Sequence, residues 1–157
     1  MLDIQKVTKQ GSALESVKDL FKAYLGELNE DLCFQSFDSE IDNPLYKYSA
    51  PTGALFIAFY NAMPVGCIAL QPLQEAYTCE MKRLYVAPDY RKLGVGDALV
   101  KILLQEAQSL GYTTMKLDTL ERLQAAINLY LKFGFETVTA YYDNPLPSVV
   151  YMQKKLR

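Results

Sequence analysis

Residues Leu84–Asp97, LYVAPDYRKLGVGD, contain the change of pattern that decides the fold. An apolar segment ends at Pro88, a basic turn follows, and Gly94 and Gly96 open an amphipathic helix. Glycines at a helix start let backbone amides approach a ligand without interference from a Cβ atom. The unpaired amides and partial positive charge of a helix start also suit a phosphate. The stretch therefore predicts a strand–turn–helix junction with a pyrophosphate site where the helix begins.

The glycine pattern differs from the two common phosphate-binding motifs. No Gly-Lys-Ser/Thr follows, as a Walker loop requires, and Leu99 occupies the third glycine position of a dinucleotide fingerprint. Glycines of this kind also serve only to tighten a strand-to-helix turn. The adjacent charges of Arg91 and Lys92, together with an irregular strand upstream, favour the pyrophosphate interpretation.

The strand before this turn is expected to contain a β-bulge. Its apolar residues change parity along the chain, from Cys79 and Met81 to Leu84 and Val86. Because side chains alternate between the faces of a strand, one inserted residue near Lys82-Arg83 would keep all four on the core. The alternative is a strand that is buried on both faces.

Hydrophobic periodicity predicts the remaining elements. A helix begins at Ser12, which forms a capping box with Glu15, and a turn-rich, aromatic segment over residues 31–51 is either a loop over a pocket or a loop pinned to the core. Strands are expected over residues 54–60, 65–71, 78–86, 113–119, 135–142 and 149–156, and helices over residues 95–110 and 123–133. This order predicts an α/β fold: a mixed central sheet, antiparallel at its N-terminal strands and parallel at its central strands, splayed at the β-bulge and flanked by helices.

Composition limits the possible functions. The 157 residues are 50% hydrophobic and 22% charged, which fits one domain spanning residues 1–157. A net charge of −2 gives no basic surplus for nucleic acid, and the absence of histidine excludes Ser-His-Asp and Cys-His nucleophile pairs and His-ligated metals. The three cysteines, Cys33, Cys67 and Cys79, are too scattered for a disulfide framework or a metal site. We therefore expect no metal and no nucleic-acid partner.

The chain also lacks signals for a membrane. Its N-terminus has no apolar signal sequence, and no segment approaches the roughly 20 apolar residues that span a bilayer. We therefore expect a cytoplasmic protein with no membrane partner.

Two segments together resemble the motifs of one enzyme family. The run from Arg91 to Gly96 matches R/Q-x-x-G-x-G/A, and residues 125–135, AAINLYLKFGF, match A-x-x-L-Y-x-x-x-G-F. Both resemble motifs of the GNAT family of N-acetyltransferases, and the element order agrees with that family over nearly the whole chain. Residues 79–86, 117–120 and 141–145 resemble one bacterial branch of small members. Leu123 departs from the pattern, since many members carry Asn there, whose amide would contact the cofactor.

The resemblance implies a GNAT-like sheet and acetyl-CoA as cosubstrate. It assigns the pantetheine arm to the backbone of Leu84, Tyr85 and Val86. It assigns the pyrophosphate to Arg91, Lys92, Leu93, Gly94, Val95, Gly96 and Asp97. The activity implied is acetyl transfer to a primary amine of a small molecule, amino acid or peptide by direct attack in a ternary complex, and the family leaves a homodimer open. The alternative is a non-catalytic or regulatory acyl-CoA-binding module.

Two side chains are the candidate catalysts. The family motif implies that Tyr130 is the general acid for the leaving thiolate, whereas the alternative is that its ring only packs beside Phe133. Glu80 faces away from the core residues beside it and is the candidate general base, because carboxylates are the only good bases left without histidine. The alternative for Glu80 is an ordinary ion pair with Lys82 or Lys116.

Overall fold

The computed structural model describes residues 1–30 and 36–156 and contains a seven-stranded mixed sheet with helices on both faces. The strands are β1 Leu2–Lys6, β2 Ala54–Tyr60, β3 Met63–Pro72, β4 Thr78–Val86, β5 Thr114–Leu120, β6 Glu136–Val138 and β7 Val149–Lys155. The helices are α1 Ser12–Leu28, α2 Phe37–Asp42, α3 Val95–Ser109 and α4 Gln124–Lys132. Short 3-10 turns occupy Pro44–Tyr46 and Pro88–Tyr90.

The sheet has the strand order β1-β2-β3-β4-β5-β7-β6. Its neighbouring strands run antiparallel, except for β4 and β5, which are parallel. The pairing of β4 with β5 covers only Thr78–Glu80 against Thr114–Lys116. Beyond Glu80 the two strands separate, and the rest of β4 has no strand beside it on that edge. The expected mixed, splayed sheet is thus confirmed, and its last paired residue on β4, Glu80, lies three residues before Arg83.

The β-bulge expected near Lys82-Arg83 is also confirmed. The register of β3 on β4 shifts between Cys67 and Ala69, so that one residue of β3 faces two residues of β4, Arg83 and Leu84. Arg83 lies in the left-handed region with φ of 60°, a conformation that costs a non-glycine residue about 1–2 kcal/mol. The surrounding contacts must therefore hold Arg83 in place.

Two apolar layers cover the faces of the sheet. Helices α3 and α4 pack on one face, where Leu99 and Leu103 are fully buried. Helices α1 and α2 pack on the other face, where Leu14 and Phe21 are fully buried. Burying each such side chain stabilises the fold by about 1.5–3 kcal/mol. Within the described part of the chain, no helix is long and apolar enough to cross a bilayer.

Four local expectations need correction. Strand β1 was not expected, because its polar residues suit an exposed sheet edge and give no apolar run. The capping box is not formed: Gly11 is the N-cap of α1, and no side chain caps that helix. The last β segments are shorter than expected, since residues 139–148 form a loop between β6 and β7. Of the expected loop at residues 31–51, residues 37–42 form α2, and residues 31–35 lie outside the described residues.

Candidate active site

Glu80 is the last residue of β4 that pairs with β5, and its side chain is held by two neutral donors. Gln71 Nε2 donates to Oε1 at 2.7 Å, and the Tyr141 hydroxyl donates to Oε2 at 2.6 Å. The residue is 3% exposed. By alternation it lies on the α1/α2 face, opposite Cys79 and Met81. Glu80 is therefore an anchored carboxylate that keeps lone pairs for a further donor.

The loop between β6 and β7 brings Tyr141 to Glu80. Burial and the neighbouring negative charge of Glu80 raise the pKa of Tyr141, so its hydroxyl stays protonated and remains a donor. The ring lies edge-on to those of Tyr142 and Tyr151, with each pair of centroids 5.3 Å apart. This packing fixes the position of the Tyr141 hydroxyl.

The same loop covers a second carboxylate, Asp118 on β5. The Tyr142 hydroxyl donates to Asp118 Oδ2, and Asn144 Nδ2 donates to the same atom at 2.9 Å. The backbone amide of Leu146 in turn donates to Asn144 Oδ1 at 2.9 Å. The loop is therefore fastened to β5 by a chain of hydrogen bonds. Sequence alone offers no signal for this, because Asp118 looks like an ordinary residue near a strand end.

Two cavities share Lys82 in their linings. The larger, of about 370 Å³, is lined by Lys47, Gln71, Leu73, Gln74, Glu75, Glu80, Lys82, Lys116, Tyr141 and Tyr142. The smaller, of about 60 Å³, lies where β4 and β5 separate and is lined by Tyr24, Met81, Lys82, Arg83, Leu84, Leu117, Asp118, Thr119, Leu123, Ala126 and Tyr130. The two candidate catalysts, Glu80 and Tyr130, thus line different cavities that share one residue.

Tyr130 is 6% exposed and reaches the smaller cavity from α4. Its ring centroid lies 5.8 Å from that of Phe135, which is its observed aromatic neighbour in place of the Phe133 considered above. Burial raises the pKa of Tyr130, which keeps the hydroxyl protonated near neutral pH. Leu123 precedes α4 and gives the smaller cavity an apolar wall where family members often carry an amide.

The residues assigned to the pyrophosphate surround the start of α3. Gly94 is the N-cap and has φ of 81°, a conformation that suits glycine, and no side chain caps the helix. Arg91, Lys92 and Leu93 are exposed. The Arg91 guanidinium forms an ion pair with Glu27 and donates from Nε to the Val86 carbonyl at 2.8 Å. Because both partners of this ion pair are about 40% exposed, it is worth only about 0–1 kcal/mol and can exchange for a phosphate.

Two further observations refine this phosphate region. Val95 is buried, and a Cβ atom on Gly96 would lie 3.3 Å from Leu129 Cδ2 of α4, so Gly96 allows the close approach of α3 and α4. Asp97 forms an ion pair with Lys132 at the end of α4. Lys132 is a cation near the helix start that the sequence analysis did not single out.

A buried ion pair between Arg83 and Glu40 of α2 holds the β-bulge in place on the α1/α2 face of the sheet. Arg83 donates from Nε to Glu40 Oε2 at 2.6 Å and from Nη2 to Oε1 at 2.9 Å, and its guanidinium lies 4.4 Å from the centroid of the Phe37 ring. Burial alone would raise the pKa of Glu40, but the hydrogen bonds and charge of Arg83 outweigh it and hold that pKa below its usual value. The bidentate pair accounts for the left-handed backbone of Arg83, and sequence analysis missed it.

The two thiols in the described part of the chain, Cys67 and Cys79, line neither cavity. Cys67 and Cys79 are buried, and burial raises the pKa of Cys79 to about 12. The thiolate, the reactive form of cysteine, is therefore scarce near neutral pH. Within residues 1–30 and 36–156 no group of three or more Cys, Asp and Glu side chains is arranged to hold a metal ion.

The cleft between the separated ends of β4 and β5, together with the start of α3, fits an acyl-CoA. The edge of β4 beyond Glu80 has no neighbouring strand, so its backbone can bind an extended arm. Leu84 and Val86 pack towards the α3/α4 face and Tyr85 towards the α1/α2 face. At the end of this strand, the uncapped start of α3 and its basic neighbours suit a pyrophosphate.

Comparisons with known proteins agree with this geometry. Residues 14–135 match the model of the acetyltransferase (GNAT) family. An uncharacterised N-acetyltransferase of Schizosaccharomyces pombe is 44% identical over 144 residues, which cover 91% of this chain and 88% of the relative. Because that relative is fungal, the expected restriction to a bacterial branch is not confirmed.

Solved structures show the same fold. A GNAT-family acetyltransferase from Staphylococcus aureus superposes with a TM-score of 0.80 at 20% identity, covering 99% of this chain and 100% of that one. An N-acetyltransferase from Thermoplasma acidophilum in complex with coenzyme A superposes with a TM-score of 0.71 at 19% identity, covering 99% of each chain.

Proposed function

The chain belongs to the acetyltransferase (GNAT) family, and on that premise we propose that it moves an acetyl group from acetyl-CoA to a primary amine by direct attack in a ternary complex. The observation that carries the proposal is that two cavities share Lys82 in their linings. One cavity contains the anchored carboxylate of Glu80, and the other contains the Tyr130 hydroxyl. An amine and a thioester held in adjoining cavities react without a covalent enzyme intermediate, because positioning alone removes much of the barrier.

The chain's own residues hold the acyl-CoA. The backbone of Leu84, Tyr85 and Val86 binds the pantetheine arm, and one of its amides polarises the thioester carbonyl. The side chains of Arg91 and Lys92 and the backbone of Leu93, Gly94, Val95, Gly96 and Asp97 bind the pyrophosphate. When bound, acetyl-CoA supplies the acetyl group as an activated thioester.

Glu80 is the proposed general base. An amine is largely protonated at neutral pH, so a carboxylate near its nitrogen both attracts the ammonium and accepts its proton. Gln71 and Tyr141 fix the orientation of that carboxylate, since each donates to one of its oxygens. The deprotonated nitrogen then forms a bond to the acetyl carbon as the carbon–sulfur bond breaks.

Tyr130 is the proposed general acid. The sulfur leaves as a thiolate and gains a proton from the Tyr130 hydroxyl, which burial keeps protonated. The phenolate left on Tyr130 regains a proton from water after product release. The nitrogen thus loses two protons in each turnover, the first to Glu80 and the second, once its bond to the acetyl carbon has formed, to water. The sulfur gains one proton from Tyr130, and Glu80 returns its proton to water before the next turnover.

The experiment combines binding with turnover. Coenzyme A at about 100 times its Kd should stabilise the protein by about 2.7 kcal/mol, which for a chain of this size raises the Tm by about 5–10 °C. Release of free thiol from acetyl-CoA should then depend on an amine from a panel of amino acids, peptides and polyamines. Thermal stabilisation without thiol release from any amine would instead support the non-catalytic acyl-CoA-binding module.

A further inference from the structure

We infer that the acceptor is a free α-amino acid whose carboxylate binds Lys116 while its amine faces Glu80; this inference rests on the proposed function. Glu80 and Lys116 are register partners on the parallel strands β4 and β5. Neighbouring strands lie about 4.8 Å apart, so the two residues stand side by side on the sheet. Both side chains line the larger cavity.

The two charges are oriented by different partners. Glu80 accepts hydrogen bonds from the neutral groups of Gln71 and Tyr141, whereas Lys116 Nζ lies 3.0 Å from Glu75 Oε1 and 5.2 Å from the centroid of the Tyr141 ring. The cavity therefore presents an anion and a cation next to each other. A small zwitterion whose ammonium and carboxylate are a few ångströms apart complements this pair.

Lys116 can bind a carboxylate either in addition to Glu75 or in its place. Its ammonium has three donors, of which the ion pair with Glu75 uses one. The Glu75 side chain is 65% exposed, so this ion pair contributes at most about 1 kcal/mol and would yield to a better placed anion. Lys47 and Lys82 line the same cavity, but the charge of Lys47 is offset by its ion pair with Glu40 and burial lowers the pKa of Lys82, so Lys116 is the cation assigned to the acceptor carboxylate.

The size of the cavity favours a single amino acid over a protein substrate. Its volume of about 370 Å³ is near the lower end of the usual range for small-molecule pockets, about 300–1,000 Å³. An N-terminal peptide amine lacks an α-carboxylate beside it, so it leaves Lys116 without its anion. The free amino acid is therefore the acceptor that fits this cavity.

The decisive experiment compares each amino acid with its own α-carboxamide, which keeps the amine and removes the negative charge. Thiol release from acetyl-CoA is measured for the wild-type protein with the twenty amino acids, their amides and a set of dipeptides. For the best acceptor we expect kcat/KM to exceed that of the amide by at least about tenfold, the factor that one charge-assisted hydrogen bond supplies.

The variant Lys116→Met tests whether Lys116 binds the carboxylate of the amino acid, with the amide as a reference that a folding defect would also affect. Lys116→Met should raise KM for the amino acid about tenfold, leave kcat within about twofold and leave KM for the amide unchanged. The matched control is Lys101→Met, at an exposed position of α3 far from the cavity, which should change none of these values.

The outcomes are distinguishable. A kcat/KM for the amides or dipeptides as high as that for the free amino acids would overturn the inference while the proposed function stands. Equal KM values of the wild-type protein and Lys116→Met for the amino acid would have the same meaning. Turnover of polyamines alone would also overturn it. Release of thiol with no amine at all would contradict the proposed function first.

Discussion

The side chain of Glu80 is buried and also lines a cavity. The variant Glu80→Gln keeps the size of the side chain and its ability to accept from Tyr141, but it removes the basicity. We expect kcat near pH 7 to fall by about 10²–10⁴-fold. Much of the rate should return at high pH, where the free amine is abundant.

A pH–rate profile checks this prediction once an acceptor is known. The matched control is Glu136→Gln on β6, which is exposed and should leave the profile unchanged. A Glu80→Gln profile that coincides with that of the parent would remove Glu80 from the mechanism.

Tyr130 permits an equally narrow test, because Tyr130→Phe removes one oxygen atom and keeps the ring that packs on Phe135. We expect the Tm to change little and turnover to fall by about 10²-fold or more, since the leaving thiolate loses its proton donor. Tyr46→Phe, at an 86% exposed position, is the control. Single-turnover rates equal to those of the parent would leave Tyr130 as a packing residue only.

At the scale of elements, the start of α3 depends on its contact with α4. A Cβ atom at Gly96 would lie 3.3 Å from Leu129 Cδ2, so Gly96→Val crowds the contact between α4 and the helix start where we propose that the pyrophosphate binds. We expect weaker binding of coenzyme A by calorimetry, together with a loss of about 1–3 kcal/mol of stability from overpacking. The added side chain acts through its contact with Leu129 of α4.

Gly26→Val in α1 is the matched control, because a Cβ atom added there has no atom within 4 Å apart from its chain neighbours and the backbone of its own helix. Its affinity for coenzyme A should equal that of the parent. An unchanged affinity in a folded Gly96→Val variant would move the phosphate site elsewhere.

At the scale of the whole molecule, the Glu40–Arg83 pair connects α2 to the β-bulge across the sheet face. Glu40→Gln leaves the Arg83 charge buried without its anion, which costs about 3–5 kcal/mol and lowers the Tm by roughly 6–20 °C for a chain of this size. Replacing both residues, as Glu40→Gln with Arg83→Met, should recover part of that loss, because the buried guanidinium is gone and Lys47, which also pairs with Glu40, is partly exposed and can be hydrated. A Glu40→Gln variant as stable as the parent would show that the Glu40–Arg83 ion pair does not stabilise the fold.

The same pair makes stability depend on pH. The folded state holds the pKa of Glu40 below its ordinary value of 4.5, so its contribution is fully present above about pH 4.5 and is lost as the pH falls through the folded pKa. Unfolding free energies measured by urea between pH 3 and pH 6 should therefore fall more steeply for the parent than for Glu40→Gln. If the unfolding free energies of the two proteins changed in parallel with pH, the charge of Glu40 would not stabilise the folded state.

Sequence alone determined the parts of the fold that repeat with a fixed period. The parity change between Met81 and Leu84 predicted the β-bulge, because side chains alternate along any strand whatever surrounds it. The apolar spacing and the glycines predicted the helix start at Gly94, since its left-handed φ is a local property of the backbone. The edge strand β1 escaped detection because its pairing with β2 does not require an apolar pattern.

Only the tertiary structure decided which side chains meet. Tyr141 reaches Glu80 across 61 positions of sequence, and Glu40 reaches Arg83 across 43. Such contacts depend on how loops fold back over the sheet, and no local period encodes that path. The pairing of β4 with β5 likewise set Lys116 beside Glu80, and the two strands separate directly after this charge pair. Local geometry thus determined the scaffold, whereas long-range packing determined the chemistry that the scaffold presents.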